Sequence, residues 1–348
     1  MNIQFKKMVE ESKILNPMQN FSPATHATES RMDPLTGRVC LLNLTAIEGG
    51  MKLPSALDEK QIREIAEKTR EGCFMCPENV DKVTPQYPPE ILPEGRLRGV
   101  EATLFPNILA LSKYTAVVAL KSHYLKLSEY SPDILADAFI VALSFIKRIH
   151  EMDPLAKYAT IGCNCLFPAG ASVTHPHIHA FVDEMPLNYV STLLSSSKRF
   201  FDEYSTSYWD ALIEAEQKEG KRYIGNIGDI NWLVSFAPSG MQEVQAIVSN
   251  KSNFMECTED DIRALAQGLS KVLKYYGDQG INCFNYIIYS GPLGEETEYF
   301  NLGLKIISRF NLPPTTVSDM TWRQKLGERC ELYSETPEMI ADILRKEF

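Results

Sequence analysis

Gly170-Ala171-Ser172-Val173-Thr174-His175-Pro176-His177-Ile178-His179-Ala180-Phe181-Val182 carries three of the six histidines in a chain of 348 residues. They stand at alternate positions. Successive side chains of a strand point to opposite faces, so a strand here places His175, His177 and His179 on one face and Ile178, Ala180 and Val182 on the other. The small-residue loop ahead of them, Ala169 to Ser172, lets backbone amides and the Ser172 hydroxyl approach an anion. A loop of donors followed by three imidazoles reads as a phosphate site. The bland alternative is three structural histidines on a polar strand face.

Working outward, residues 116–120 read as a strand, and Ser131-Pro132-Asp133 opens a helix with a capping serine, a proline at the first helical position and an early acid. That helix runs to about Met152, and 158–165 is a second strand leading to the loop. The second half repeats the order: strand 243–248, a helix capped by Thr258 and Asp261 that runs to about Tyr276, strand 283–289, a glycine-containing loop, and strand 302–309. Each element follows its counterpart by roughly 125–130 residues, the spacing of a duplication. The expectation is an α+β chain of two similar units, 1–185 and 186–348. The units are chemically unequal, because no histidine follows His179. Imidazole chemistry belongs to the first unit. Lys305 and Arg309 in the second offer positive charge to a ligand, or are solvated cations at a strand edge.

The segment up to about Met51 is rich in polar and turn residues, with turn chemistry at Asp33-Pro34-Leu35-Thr36-Gly37 and a short strand at 39–42. Residues 58–70 read as a helix with Ile62, Ile65 and Ala66 on its apolar face; it ends before Gly72. A proline-rich connection follows at 84–93. The apolar fraction of 44% and charged fraction of 23% suit a chain with a real core. The net charge of -10 argues against nucleic acid or an anionic membrane as partner. No apolar run approaches membrane-spanning length, and the mixed-charge N-terminus is no secretory signal, so the expected location is cytoplasmic.

Neutral imidazole attacks phosphorus well and leaves well, so a histidine can accept a nucleotidyl group and pass it on. It needs an acceptor on its far nitrogen to fix the tautomer and donors for the phosphoryl oxygens. His177 is the candidate nucleophile; Ser172, the loop amides and His179 are candidate donors. Cys73-Phe74-Met75-Cys76 is a C-x-x-C among eight cysteines, which reads as metal or redox chemistry. A tetrahedral zinc needs two more ligands, from His26, His123, His150 or His175. His123 follows strand 116–120 in the same unit, whereas His150 near a helix end is structural. A zinc on Cys73, Cys76, His123 and His175 would brace the histidine strand. Cys163-Asn164-Cys165 reads as a buried strand pair.

At these residues the chain resembles galactose-1-phosphate uridylyltransferase, a branch of the histidine triad superfamily. The resemblance runs from about Ser30 to Phe348. Its anchors are Arg31-Met32-Asp33-Pro34-Leu35-Thr36-Gly37, the run Cys73-x-x-Cys76-Pro77-x-Asn79, Leu104-Phe105-Pro106-Asn107, Asn164 through His179 and, more loosely, Arg323 to Glu338. It implies two half-barrels of antiparallel strands with helices, a nucleotidyl-histidine intermediate, ping-pong transfer and a homodimer. It implies His177 as nucleophile, Cys73, Cys76, His123 and His175 on zinc, Asn107, Asn164 and Ser172 around the nucleotide, and Arg31 on a phosphate. Three departures stand out. His179 replaces the glutamine of the uridylyltransferase triplet, as in histidine triad enzymes acting on adenine nucleotides. Ile307 and Arg309 stand where some members hold a second metal. Glu328 and Arg329 replace the sugar-contacting aromatic and acid.

The expected activity is transfer of a nucleoside monophosphate through His177 to a phosphate-bearing acceptor. The rival is phosphorolysis of an adenylylated substrate (adenylylsulfate, a dinucleoside polyphosphate or a nucleotide-sugar) with inorganic phosphate as acceptor. Hydrolysis, and a zinc-braced nucleotide-binding protein without turnover, are the further alternatives.

Overall fold

The structure, a computed structural model, describes residues 3–51, 58–310, 319 and 321–348. Its strands in chain order are β1 (Lys7–Asn16), β2 (Ser22–Met32), β3 (Val39–Asn43), β4 (Leu97–Arg98), β5 (Ala102–Pro106), β6 (Tyr114–Leu120), β7 (Tyr158–Cys165), β8 (His177–Asp183), β9 (Tyr223–Ile227), β10 (Ile230–Val234), β11 (Met241–Val248), β12 (Phe284–Tyr289), β13 (Gly303–Ser308) and β14 (Cys330–Leu332). A small sheet has the order β1-β2-β3-β14, and a ten-stranded sheet the order β4-β5-β6-β8-β7-β12-β13-β11-β10-β9.

Taken from its two ends inward, the large sheet repeats itself: β4, β5, β6, β8, β7 from one side and β9, β10, β11, β13, β12 from the other. The long helices hold equivalent places, Pro132–Met152 between β6 and β7, Glu259–Asp278 between β11 and β12. The halves meet where β7 pairs antiparallel with β12, Asn164 opposite Asn285. The strands of the large sheet pair antiparallel throughout the described residues. The fold is thus α+β, two antiparallel half-sheets of like order joined edge to edge, and the sheet runs unbroken past residue 185.

Ser131 accepts a hydrogen bond from the Ile134 amide at 3.3 Å, and Pro132 takes the first helical position, where a missing N–H costs nothing. The helix they start buries Phe139, Ala142, Phe145, Ile146 and Ile149 against the second long helix and against β5, β6 and β8. Alternation along β8 sends Ile178, Ala180 and Val182 into this core and leaves His177 and His179 on the far face. β6 does the same: Ala116, Val118 and Leu120 face the core, while Val117 and Ala119 pack with Met75, Val80 and Phe105 on the histidine side.

The hairpin of β1 and β2 departs from the polar-turn reading of the N-terminus. Lys7–Asn16 lacks clean alternation because it is exposed almost throughout; its ladder to β2 shapes it, not burial.

Behind that hairpin, Arg31 of β2 and Arg222 converge on Glu338 at 2.9 and 3.1 Å, with Glu29 and Glu216 as further partners and the Phe236 ring beside both guanidinium groups. Burial alone would raise the Glu338 pKa; hydrogen bonds and charge from Arg31, with help from Arg222, overcome it and hold the carboxyl at about 2. A depressed folded pKa contributes stability that is complete above the ordinary 4.5 and disappears as pH falls toward 2. Glu338→Ala leaves two buried cations short of a partner and is expected to cost about 3 kcal/mol at pH 7. Denaturant titrations across pH check this: the gap between variant and wild type should close between pH 4.5 and 2.

Candidate active site and metal centre

The strand proper begins at His177, one step after Pro176, which has no N–H for a ladder. The His177 ring is buried, and its Nδ1 lies 2.8 Å from the His175 carbonyl. A carbonyl can only accept, so the proton sits on Nδ1 and Nε2 carries the lone pair. Burial lowers the His177 pKa despite that hydrogen bond, which keeps the ring neutral. His179 lies edge-on to it, ring centroids 4.9 Å apart. Burial, with His177 as neighbour, lowers His179 to about 4. Its buried Nδ1 has no partner among the described residues, and a buried nitrogen left so costs about 1–3 kcal/mol. Across the ladder from His179 is Gly162, whose missing side chain keeps that face open.

The loop between β7 and β8 starts from strained backbone: Leu166 has φ +64°, a left-handed value that favours glycine, and Gly170 has φ +91°. Leu166 O accepts from the amides of Ala169 and Ala171. Gly170 and Ser172 are exposed. His177 shares a hollow with Tyr124, Cys163, Asn164, Cys165 and Val173. The cysteines there are free and buried, as their strand position implies. A neutral nucleophilic nitrogen, an asparagine amide and a glycine loop together can hold and attack a phosphoryl group.

The structure brings Cys73, Cys76, His123 and His175 together, one ligand atom of each lying within 4.8 Å of the others. His123 Nε2 donates to the Ala66 carbonyl at 2.9 Å and His175 Nε2 to the Leu120 carbonyl at 2.6 Å. Both Nδ1 atoms are thereby bare, yet they face each other at 3.3 Å. Two lone pairs at that distance repel unless a cation lies between them. Cys73 Sγ is 3.4 Å from His175 Nδ1, and Cys76 Sγ is 3.3 Å from His123 Nδ1 and 3.6 Å from His175 Nδ1. A tetrahedron with Zn–N near 2.05 Å and Zn–S near 2.3 Å has N–N edges of about 3.3 Å and N–S edges of about 3.6 Å. The donor set and its dimensions fit zinc. His26 on β2 and His150 on the long helix are not in the group.

Other expected residues lie elsewhere. Asn107 follows β5 and turns its Oδ1 to the Leu109 amide at 3.0 Å. Arg31 spends its guanidinium on Glu29, Glu338 and the Phe236 carbonyl. Lys305 is neither free nor solvated: it pairs with buried Glu243 at 3.2 Å. Arg309 grips Asp319 and Asn285. Glu328 and Arg329 are exposed just ahead of β14.

Sequence reading missed the supports. Asn79 donates to the Cys73 carbonyl at 2.9 Å and fixes the turn between the cysteines. Thr69, at the end of the helix Glu59–Lys68, lies 3.2 Å from His123 Nε2 and 2.5 Å from the Thr174 hydroxyl. The C-x-x-C-P-x-N spacing was a usable signal for Asn79; nothing local marked Thr69.

No family model matches the chain. It is 32% identical to an uncharacterized protein of Archaeoglobus fulgidus over 311 residues, 88% of each chain. It is 24% identical over 252 residues to ADP-glucose phosphorylase of Arabidopsis thaliana, 69% of this chain and 66% of that protein. A crystal structure of an ADP-glucose phosphorylase from Arabidopsis thaliana with bound ADP-glucose superposes with a TM-score of 0.68 at 18% identity, covering 92% of this chain and 98% of that one. A uridylyltransferase mutant structure gives 0.66 at 18% identity, covering 91% and 97%. The chain belongs to one family with the Archaeoglobus protein, and its fold is that of the ADP-glucose phosphorylase and uridylyltransferase structures.

Proposed function

We propose that the protein is a nucleotidyltransferase working through His177. Nε2 attacks the α-phosphorus of a nucleotide donor, and the bond from that phosphorus to the bridging oxygen of the leaving phosphate breaks. The nucleoside monophosphate stays on His177 until the oxygen of a phosphate-bearing acceptor, or of inorganic phosphate, displaces it. The observation that carries this reading is the hydrogen bond from His177 Nδ1 to the His175 carbonyl, which leaves the opposite nitrogen with its lone pair free. Asn164, the Ser172 hydroxyl and amide, and His179 are the donors for phosphoryl oxygens. Zinc on Cys73, Cys76, His123 and His175 braces the residue two before the nucleophile, and the active unit is a homodimer.

Intact-protein mass after incubation with UDP-sugars, ADP-sugars and dinucleoside polyphosphates tests the covalent step. A gain of one nucleoside monophosphate is expected, and its size names the base. Nucleotide bound without any mass gain would instead make the protein a zinc-braced binder. The resemblance to ADP-glucose phosphorylase favours inorganic phosphate as acceptor within this scheme. Labelled phosphate should then exchange into ADP with no sugar present. No phosphate exchange, with labelled sugar 1-phosphate passing instead into the nucleotide-sugar, would restore the hexose-phosphate reaction, and steady nucleotide release to water would mark a hydrolase. No helix among the described residues is long and apolar enough to cross a membrane.

A further inference from the structure

Asn285 belongs to the half of the sheet that has no histidine, yet its side chain reaches into the phosphate loop of the other half. It stands directly opposite Asn164 where β12 meets β7. Its Nδ2 donates to Asn164 Oδ1 at 2.7 Å and to the Ala169 carbonyl at 2.8 Å, with the Cys163 carbonyl at 3.2 Å. Its Oδ1 accepts from Arg309 Nη1 at 2.6 Å. Arg309 is in turn locked by Asp319, whose two carboxylate oxygens take Nε and Nη2 at 2.5 and 2.6 Å.

The direction of this chain of bonds is forced. Guanidinium has no acceptor, so the Asn285 oxygen must face Arg309 and its NH2 must face the loop. The Asn164 oxygen then has its donor, and the Asn164 NH2 is the end left for another acceptor; Asn164 and His177 both line one small hollow. The second contact holds the Ala169 carbonyl within the strained turn that begins at Leu166.

We propose that Asn285, oriented by Arg309 and Asp319, is a positioning residue that presents the Asn164 amide as a donor to the bound nucleotide and pins the base of the phosphate loop. This rests on the nucleotidyl-transfer reading above. Two uncharged hydrogen bonds are involved, each of order 1 kcal/mol, so loss of the relay is expected to act at the level of tenfold effects rather than abolition.

Asn285→Asp is the informative variant. It keeps the volume and the Arg309 contact but turns a donor into an acceptor facing two carbonyls and the Asn164 oxygen. Three readouts are taken on the full zinc-loaded protein: hydrogen exchange over residues 166–174 without nucleotide, the donor concentration that half-saturates His177 labelling, and zinc content with thermal midpoint. The relay requires faster loop exchange, a half-saturating donor concentration raised about tenfold or more, and unchanged zinc. Asn285→Ala should behave alike, and Arg309→Met, which frees Asn285 to flip, should move the same readouts less. Wild-type loop exchange and wild-type half-saturation in Asn285→Asp would overturn the proposal. A wild-type protein that no donor labels would overturn the transferase reading and this inference with it; loop exchange unchanged in every variant would overturn the relay alone.

Discussion

His177→Gln is expected to abolish nucleotide labelling, by on the order of 10⁴-fold or more, while zinc content and the thermal midpoint stay near wild type. Glutamine can still donate a hydrogen bond to the His175 carbonyl and fills similar space, so the fold loses little. It has no nitrogen lone pair to offer phosphorus. The two rings differ in which carries the free nucleophile. His177 has its proton held on Nδ1 by a backbone carbonyl at 2.8 Å, whereas His179 has no such partner and its buried Nδ1 is unpaired among the described residues. His179 is therefore suited to donating toward charge on the phosphoryl oxygens. His179→Gln should slow labelling about 10²–10³-fold without abolishing it, the usual loss for one electrostatic donor. The measurement is quench-flow labelling followed by intact mass and peptide mapping. Full labelling of His177→Gln, with the adduct on another residue, would remove His177 from the mechanism.

The second large effect belongs to the metal centre. The purified chain is expected to carry about one zinc, and Cys76→Ser to lose it along with roughly 10 °C of thermal stability. The reason is the 3.3 Å approach of two bare imidazole nitrogens, each with its proton committed to a carbonyl. Without a cation the fold must separate them, and His175 sits two residues from the nucleophile. Labelling by His177 should fall in step with zinc loss. Elemental analysis and a melting curve with and without a strong chelator decide it. A wild-type protein that is metal-free, fully folded and as stable as the zinc-loaded form would refute the assignment.

What the sequence could convey depended on how far apart the partners lie. The alternation of His177 and His179 and the C-x-x-C each sit within a few residues, so period and spacing exposed them. The repeat of the sheet was legible because each copy keeps its own capped long helix, begun by Ser131-Pro132 and by Thr258. Lys305 and Arg309 could be read as charge but not as bonded groups, since Glu243 and Asn285 come from strands beside theirs. Asn285 was silent: it meets Asn164 across 121 residues, and only the register of β7 on β12 reveals the pair. The β1–β2 hairpin was missed for a different reason. Its first strand is exposed on both faces, and its second buries only charged Glu29 and Arg31, so neither leaves an apolar alternating trace.

The joint of β7 and β12 also limits how this molecule can diverge. Each repeat closes the other's inner border, so a fragment ending near residue 185 would present the eight-residue Tyr158–Cys165 strand with half its ladder bare, an invitation to stack on any passing chain. The histidine-free copy thus needs no imidazole of its own but must keep a strand of matching length and register. Substitutions at residues 284–289 are expected to be tolerated least in that copy, and a circularly permuted version opened elsewhere should survive where one opened at this joint fails.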